Sequence, residues 1–111
     1  MKTVTLIGSG FSSLSAACYM AKNGYKVTLF EKNDTIGGRA RQFTEEGFTF
    51  DMGPTFYWMP DLIERFFNDF GKTSADYYDL IRLDPGYKIY FSEKEALSVS
   101  AGLTEIYAMF D

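Results

Sequence analysis

The stretch IGSGFSSLS, Ile7 to Ser15, follows a short apolar run and precedes a helical pattern, and its spacing nearly matches G-x-G-x-x-G. Gly8 and Gly10 occupy the first two glycine places, while Ser13 stands in the third, where glycine or alanine is expected. Each position of that pattern has its own task. Gly8 permits a sharp turn out of a strand, and the missing side chain at Gly10 lets the main chain come within hydrogen-bonding distance of a diphosphate. A helix opening at Phe11, Ser12 and Ser13 then points its unpaired N–H groups and positive dipole end at the same anion. The third position serves close packing of helix on strand. Serine adds one oxygen to the tolerated alanine, and its hydroxyl can bond back to the carbonyl four residues earlier, so Ser13 loosens the pattern without breaking it.

The flanks supply the context that a glycine pattern needs. Thr3 to Ile7 is rich in β-branched residues and ends at Gly8, as a strand entering a tight turn does. Leu14, Ala17, Cys18 and Ala21 form an i, i+3, i+4, i+7 stripe of packing residues, in which Cys18 reads as a small buried hydrophobe. Asn23-Gly24 supplies a left-handed stop, and Tyr25 to Glu31 resumes a strand. The unit is a strand–helix–strand crossover. Glu31 lies at its end, 23 residues after Gly8, where a carboxylate can accept hydrogen bonds from both hydroxyls of a ribose. The same carboxylate would repel a 2′-phosphate, which disfavours NADP.

Beyond the crossover, Gly37-Gly38-Arg39, with Arg41 close behind, places two glycines beside a guanidinium, a second spot where backbone and cation can approach phosphate. Phe43, Phe48 and Phe50 around Gly47 suggest two short strands about a bend. Thr49 to Thr55 reads as a strand running into a constrained turn, with Gly53 letting something flat come near the backbone. Pro60, the apolar set Leu62, Ile63, Phe66, Phe67 and Phe70, and Gly71 define a second helix. Asp76 to Leu80 is expected to form a short helical turn. Tyr87 to Phe91 and Ala96 to Val99 are expected to form a hairpin.

Composition narrows the function classes. A chain of 111 residues suits one domain, and 11 Phe with 8 Tyr argue for a packed protein over a disordered one. A net charge of -4 lacks the clustered Lys and Arg that a phosphate backbone demands, so no nucleic-acid partner is expected. A single Cys18 and the lack of a secretory apolar segment suggest a reducing cytoplasm, and no run approaches the roughly 20 apolar residues that span a bilayer. Histidine is absent, so no imidazole shuttle or ligand exists and no metal site is expected. Any catalysis must use a borrowed reagent. The helical stripe Leu103, Ile106, Tyr107 and Phe110 runs to Asp111 without a cap, with two carboxylates opposing the helix dipole, and the crossover supplies only two parallel strands. The chain is therefore expected to be the front part of a longer protein.

These residues resemble the FAD-dependent carotenoid desaturases, phytoene desaturase in particular, within the amine-oxidase-like flavoproteins. The resemblance spans nearly the whole chain. It rests on I-G-S-G-F-S-S-L-S-A-A, F-E-K-N-D-T-I-G-G-R-A, G-F-T-F-D-M-G-P-T with Pro60 following, and D-Y-Y-D-L-I-R-L-D-P-G-Y. It implies an α/β fold: the N-terminal part of a Rossmann-like FAD-binding domain, built on the βαβ unit and followed by α+β segments. Residues 1–55 would hold FAD and 56–111 would begin the substrate or cap region. Gly8, Gly10, Phe11, Ser12 and Ser13 would hold the FAD diphosphate, Glu31 the adenosine ribose, and Gly37, Gly38 and Arg39 further phosphate, with Lys32 also among the cofactor-binding residues. Gly53, Pro54 and Thr55 would run near the flavin. Family members usually carry glycines where Ser12 and Ser13 stand, a departure that bears on cofactor affinity.

The implied reaction removes two hydrogens across a saturated carbon–carbon bond of a lipophilic polyene, with flavin as hydride acceptor. No residue of this chain is assigned a catalytic role. A polyene lives in membranes, so the full-length enzyme would be peripheral to the inner face of the membrane. Phe56, Tyr57, Trp58, Met59 and the Phe66–Phe67 pair are the candidates to touch lipid or substrate, although such clusters more often serve as core. Three alternatives remain at this stage: a related amine-oxidase-like or retinoid flavoprotein, a non-catalytic interaction protein of the dissociation-inhibitor type, and an NAD-binding module. Glu31 and the Gly37-Gly38-Arg39 turn argue against the second.

Overall fold

In the computed structural model, which describes residues 1–110, the chain divides into two compact units, Met1–Gly71 and a second from Lys72 onward. The length suited a single domain, and the division lies beyond the second helix. That helix, placed with residues 56–111 on sequence grounds, falls in the first unit.

The first unit opens with β1 (Thr3–Ile7), α1 (Phe11–Lys22) and β2 (Lys26–Phe30). β1 and β2 pair in parallel, Thr3 opposite Lys26 through Ile7 opposite Phe30. Side chains alternate across such strands, so Val4, Leu6, Val27 and Leu29 are half-buried on one face while Thr3, Thr5, Thr28 and Phe30 stand exposed on the other. α1 packs against both strands. Partial burial of each aliphatic side chain contributes on the order of 1 kcal/mol. The opposite face is open: Ile7 is 87% and Phe30 60% exposed, and no hydrophobic side chain among the described residues is fully buried. Asn23 and Gly24 close α1, with the Asn23 Nδ2 donating to the Tyr19 carbonyl at 2.8 Å. Cys18 is exposed, contrary to its expected burial, and so is Ala21. The half-buried residues of α1 are the contiguous Ser13 to Ala17, and the helix from Cys18 to Lys22 is exposed.

A single 3-10 turn at Gly38–Ala40 leads into the antiparallel hairpin β3 (Gln42–Glu45) and β4 (Phe48–Asp51). Its two-residue connection has positive φ at both Glu46 (48°) and Gly47 (83°), the geometry that matches strand twist in tight hairpins. Phe43 and Phe50 stack across it at 5.1 Å. α2 (Pro60–Asp69) then meets α1: the Tyr19 ring lies 5.8 Å from Phe66 and 5.2 Å from Phe70, and its hydroxyl donates to Asp69 Oδ2 at 2.6 Å. Lys22 adds a hydrogen bond from Nζ to the Asp69 carbonyl.

In the second unit, a 3-10 turn occupies Ser74–Asp76, earlier than the expected Asp76 to Leu80. The physical cause is a reciprocal cap between Thr73 and Asp76, whose Oδ2 accepts from the Thr73 N–H at 2.8 Å and fixes the turn's start. β5 (Tyr87–Ser92) and β6 (Glu95–Val99) form an antiparallel hairpin with an irregularity between Tyr90 and Ser92, and α3 (Leu103–Tyr107) follows. The expected dipole conflict at Asp111 lies outside the described residues. Among those described, no helix is long and apolar enough to cross a membrane.

Candidate nucleotide site

The site begins where β1 stops. The Gly8 N–H donates to the Phe30 carbonyl at 2.7 Å, extending the ladder by one bond, and Gly8 then turns at φ 93°, a left-handed conformation that side chains oppose. Ser9 follows and is 1% exposed, the one buried residue among those described. All three of its polar groups are engaged. Its N–H and hydroxyl both donate to Glu31 Oε2, at 2.8 and 2.6 Å, and its carbonyl accepts from the Gly37 N–H at 2.9 Å. Ser9 thus ties the glycine loop to the end of β2 and to the Gly37–Gly38 turn.

Gly10 is the N-cap of α1, with extended backbone (φ -72°, ψ 171°) and a carbonyl that accepts from the Leu14 N–H at 3.0 Å. No side chain caps this end, and the first turn carries no acidic residue. An α-helix leaves its first N–H groups without intrahelical partners, so Phe11, Ser12 and Ser13 present donors and a positive dipole end beside open space. A Cβ placed on Gly10 would meet nothing within 4 Å. The Ser9 carbonyl, four residues before Ser13, accepts from the Gly37 N–H; the helix hydroxyl that bonds back is that of Ser15, to the Ser12 carbonyl at 3.1 Å.

Glu31 faces the glycine loop. Its second oxygen, Oε1, accepts from the Asn33 N–H at 2.9 Å and the Asn33 Nδ2 at 2.6 Å. The Ser9 hydroxyl, the Asn33 N–H and the Ser9 N–H, in that order, hold the carboxyl at about 2, below its usual 4.5, against the opposing effect of partial burial. Glu31 is an ionised acceptor at any physiological pH.

The second glycine pair rests on the first. A Cβ on Gly38 would lie 3.0 Å from the Gly10 Cα, so close approach of the two loops depends on glycine there. Arg41 Nε donates to the Gly38 carbonyl at 2.9 Å, and the Met52 N–H to the Arg41 carbonyl at 2.8 Å, which draws β4's end toward this turn. Gly53 lies directly against the Arg39 carbonyl. Backbone contacts therefore bring Gly8, Gly10, Glu31, Gly37, Gly38, Arg39 and Gly53 into one connected patch. Arg39, Pro54 and Thr55 are exposed at its margin. Lys32, with Asn33, Asp34, Arg41 and the β3–β4 hairpin, lines an open cleft of about 690 Å³. Of the aromatic candidates, Phe56 and Trp58 remain exposed, 5.7 Å apart, whereas Phe66 is turned onto Tyr19.

Sequence reading missed Ser9 and Asn33. The available signals were a small hydroxyl residue flanked by the two motif glycines and an Asn two places after the strand-end acid, a spacing at which side chain and backbone can grip the same carboxylate.

Residues 6–70 match the family model described as an NAD(P)-binding Rossmann-like domain. The chain is similar to the carotenoid 3,4-desaturase of Haloarcula japonica, 50% identical over 108 residues, which is 97% of this chain and 22% of that protein. It is 44% identical over 103 residues to the 4,4′-diapophytoene desaturase (4,4′-diaponeurosporene-forming) of Staphylococcus haemolyticus, covering 93% of this chain and 21% of that protein. The corresponding protein of Staphylococcus aureus strain Newman is 41% identical over 108 residues. The chain thus spans about a fifth of the length of these relatives.

Proposed function

The chain belongs to the NAD(P)-binding Rossmann-like domain family, and from that premise we propose that it forms the FAD-holding front of a flavin-dependent desaturase acting on a carotenoid precursor such as phytoene. Residues 1–55 hold the dinucleotide in this reading, and 56–111 begin the substrate region. The observation that carries it is the junction at Ser9, which sets an uncapped, acid-free helix start, an ionised carboxylate and a second glycine turn around one open patch.

The residues fit a dinucleotide. The space beside Gly10 that a Cβ would fill is open, and the first-turn amides of Phe11, Ser12 and Ser13 are the donors a diphosphate requires. Gly37, Gly38 and Arg39 add backbone and a cation at the patch margin. Glu31 accepts from sugar and, being ionised, repels a 2′-phosphate. Gly53, Pro54 and Thr55 flank the flavin side. Bound FAD supplies the hydride acceptor for removing two hydrogens from a saturated carbon–carbon bond. The chain's own task is to bind and orient; no residue in it is assigned to proton transfer. The similar desaturases, named for carotenoid substrates, support a lipophilic polyene as substrate, and exposed Phe56 and Trp58 suit peripheral contact with the membrane that holds it.

The test is direct. The whole protein that carries this chain is expected to purify yellow with FAD and to give coloured products when expressed in cells that make phytoene. Colourless protein that takes up no added FAD overturns the reading; FAD uptake without colour change redirects the substrate to amines or retinoids.

A further inference from the structure

Resting on the FAD reading, we propose that Arg41 is a positioning residue of this site: its Nε–H holds the Gly38 carbonyl and so fixes the peptide between Gly38 and Arg39 in the orientation that receives the dinucleotide. The turn needs such a hold. Gly37 and Gly38 are consecutive glycines at φ 112° and 61°, and without side chains the peptides they flank rotate at little steric cost. The Gly37 N–H is tied to the Ser9 carbonyl at 2.9 Å, and the Gly37 carbonyl accepts from the Ala40 N–H at 3.1 Å. Neither bond reaches the Gly38 carbonyl. Arg41 Nε does, at 2.9 Å. A trans peptide is planar with its N–H opposed to its C=O, so the bond that fixes the Gly38 carbonyl also fixes where the Arg39 N–H points.

Arg41 can do this because it is itself held. Its carbonyl accepts from the Met52 N–H at 2.8 Å, its backbone is extended (φ -69°, ψ 158°), and its Cγ lies 3.5 Å from the place where a Cβ of Gly37 would stand. The side chain thus leaves a fixed base and lies along the glycine pair. On the far side of the same residues, the Arg39 carbonyl abuts Gly53, so the Gly38–Arg39 segment is gripped by the Arg41 side chain and by the bend after β4. The bond to Gly38 uses the Nε–H as a donor and does not require the charge. Glutamine carries an uncharged amide nitrogen at the same place along its side chain as the arginine Nε, whereas lysine keeps the charge and has a carbon there. The two substitutions therefore separate a positioning bond from a direct contact between guanidinium and phosphate.

The whole protein is titrated with FAD by quenching of flavin fluorescence, as wild type, Arg41→Gln, Arg41→Lys and Arg41→Leu. Arg41 borders an open cleft rather than a packed core, so all three variants are expected to fold. Arg41→Gln is expected to bind FAD within about twofold of wild type, and Arg41→Lys and Arg41→Leu about three- to tenfold more weakly, the worth of one hydrogen bond. Hydrogen–deuterium exchange of the cofactor-free proteins reads the bond without any flavin: the Gly37 and Ala40 amides are expected to exchange faster in Arg41→Lys and Arg41→Leu and at the wild-type rate in Arg41→Gln. Weak binding by Arg41→Gln beside wild-type affinity in Arg41→Lys overturns the positioning role in favour of a direct charge contact with phosphate. Equal affinity in all four proteins, equal loss in the Gln and Lys variants, or unchanged exchange at Gly37 and Ala40 in Arg41→Lys overturns it too. If the wild type itself takes up no FAD, the flavin reading falls and this inference with it, whatever the exchange rates show.

Discussion

Gly53 lies so close to the carbonyl of Arg39 that a Cβ at position 53 would collide with the oxygen, and backbone on both sides leaves no flexible atom to give way. Gly53→Ala is therefore expected to destabilise the protein by about 1–3 kcal/mol, the usual cost of overpacking. Denaturant midpoints measure it, and an unchanged midpoint would show that the turn after β4 does not rest on Arg39.

Gly10 presents the opposite case. Its backbone is one that any residue adopts, and a Cβ there meets nothing. Gly10→Ala is expected to change stability by less than about 0.5 kcal/mol, as for an unhindered surface substitution. FAD binding in the whole protein should weaken by about tenfold or more, equivalent to ~1.4 kcal/mol, because the methyl fills the space a diphosphate needs. Stability loss without binding loss would contradict the placement of the anion.

Acid should unfold the first unit partly through Glu31. Its carboxyl titrates at about 2 when folded and at an ordinary 4.5 when not. Between these values the unfolded chain binds more protons, so stability falls as the pH drops from about 4.5 to about 2 and is fully present above that window. Glu31→Gln is expected to flatten this part of the stability profile. An identical acid limb in the variant would show that the Ser9 and Asn33 bonds are not maintained in solution.

The α1–α2 contact predicts an alkaline signature. Hydrogen bonding to Asp69, then desolvation and the Asp69 charge, raise the Tyr19 phenol above its usual 10.0. A raised phenol contributes stability that is present below pH 10 and lost as the pH climbs past the folded value. Subtracting the ultraviolet titration of Tyr19→Phe from that of wild type should isolate a late-ionising tyrosine. A difference curve centred at or below 10 would mean that the helices part in solution.

Much of the architecture was legible because it is local. Alternation in Thr3 to Ile7 and Tyr25 to Glu31, the helical stripe between them, Pro60 and Gly71 around the second helix, and the turn signals of both hairpins each act over a few residues. Cys18 was misread because periodicity shows which face of a helix is apolar but not how much of that face its neighbours cover. The early 3-10 turn at Ser74–Asp76 was missed because a cap between Thr73 and Asp76 outweighed the apolar pattern beyond it.

The sequence by itself determined the crossover, the glycine loop and the presence of an acid at the end of β2, since strand, turn and helix propensities are short-range properties of the chain. Tertiary structure alone decided what that acid does. Ser9 and Glu31 are 22 positions apart, and only the parallel pairing of β1 with β2 brings a buried hydroxyl within 2.6 Å of the carboxylate. Hydrogen bonds act over ångströms of space rather than along the chain, so which donors meet that carboxylate is fixed by the fold.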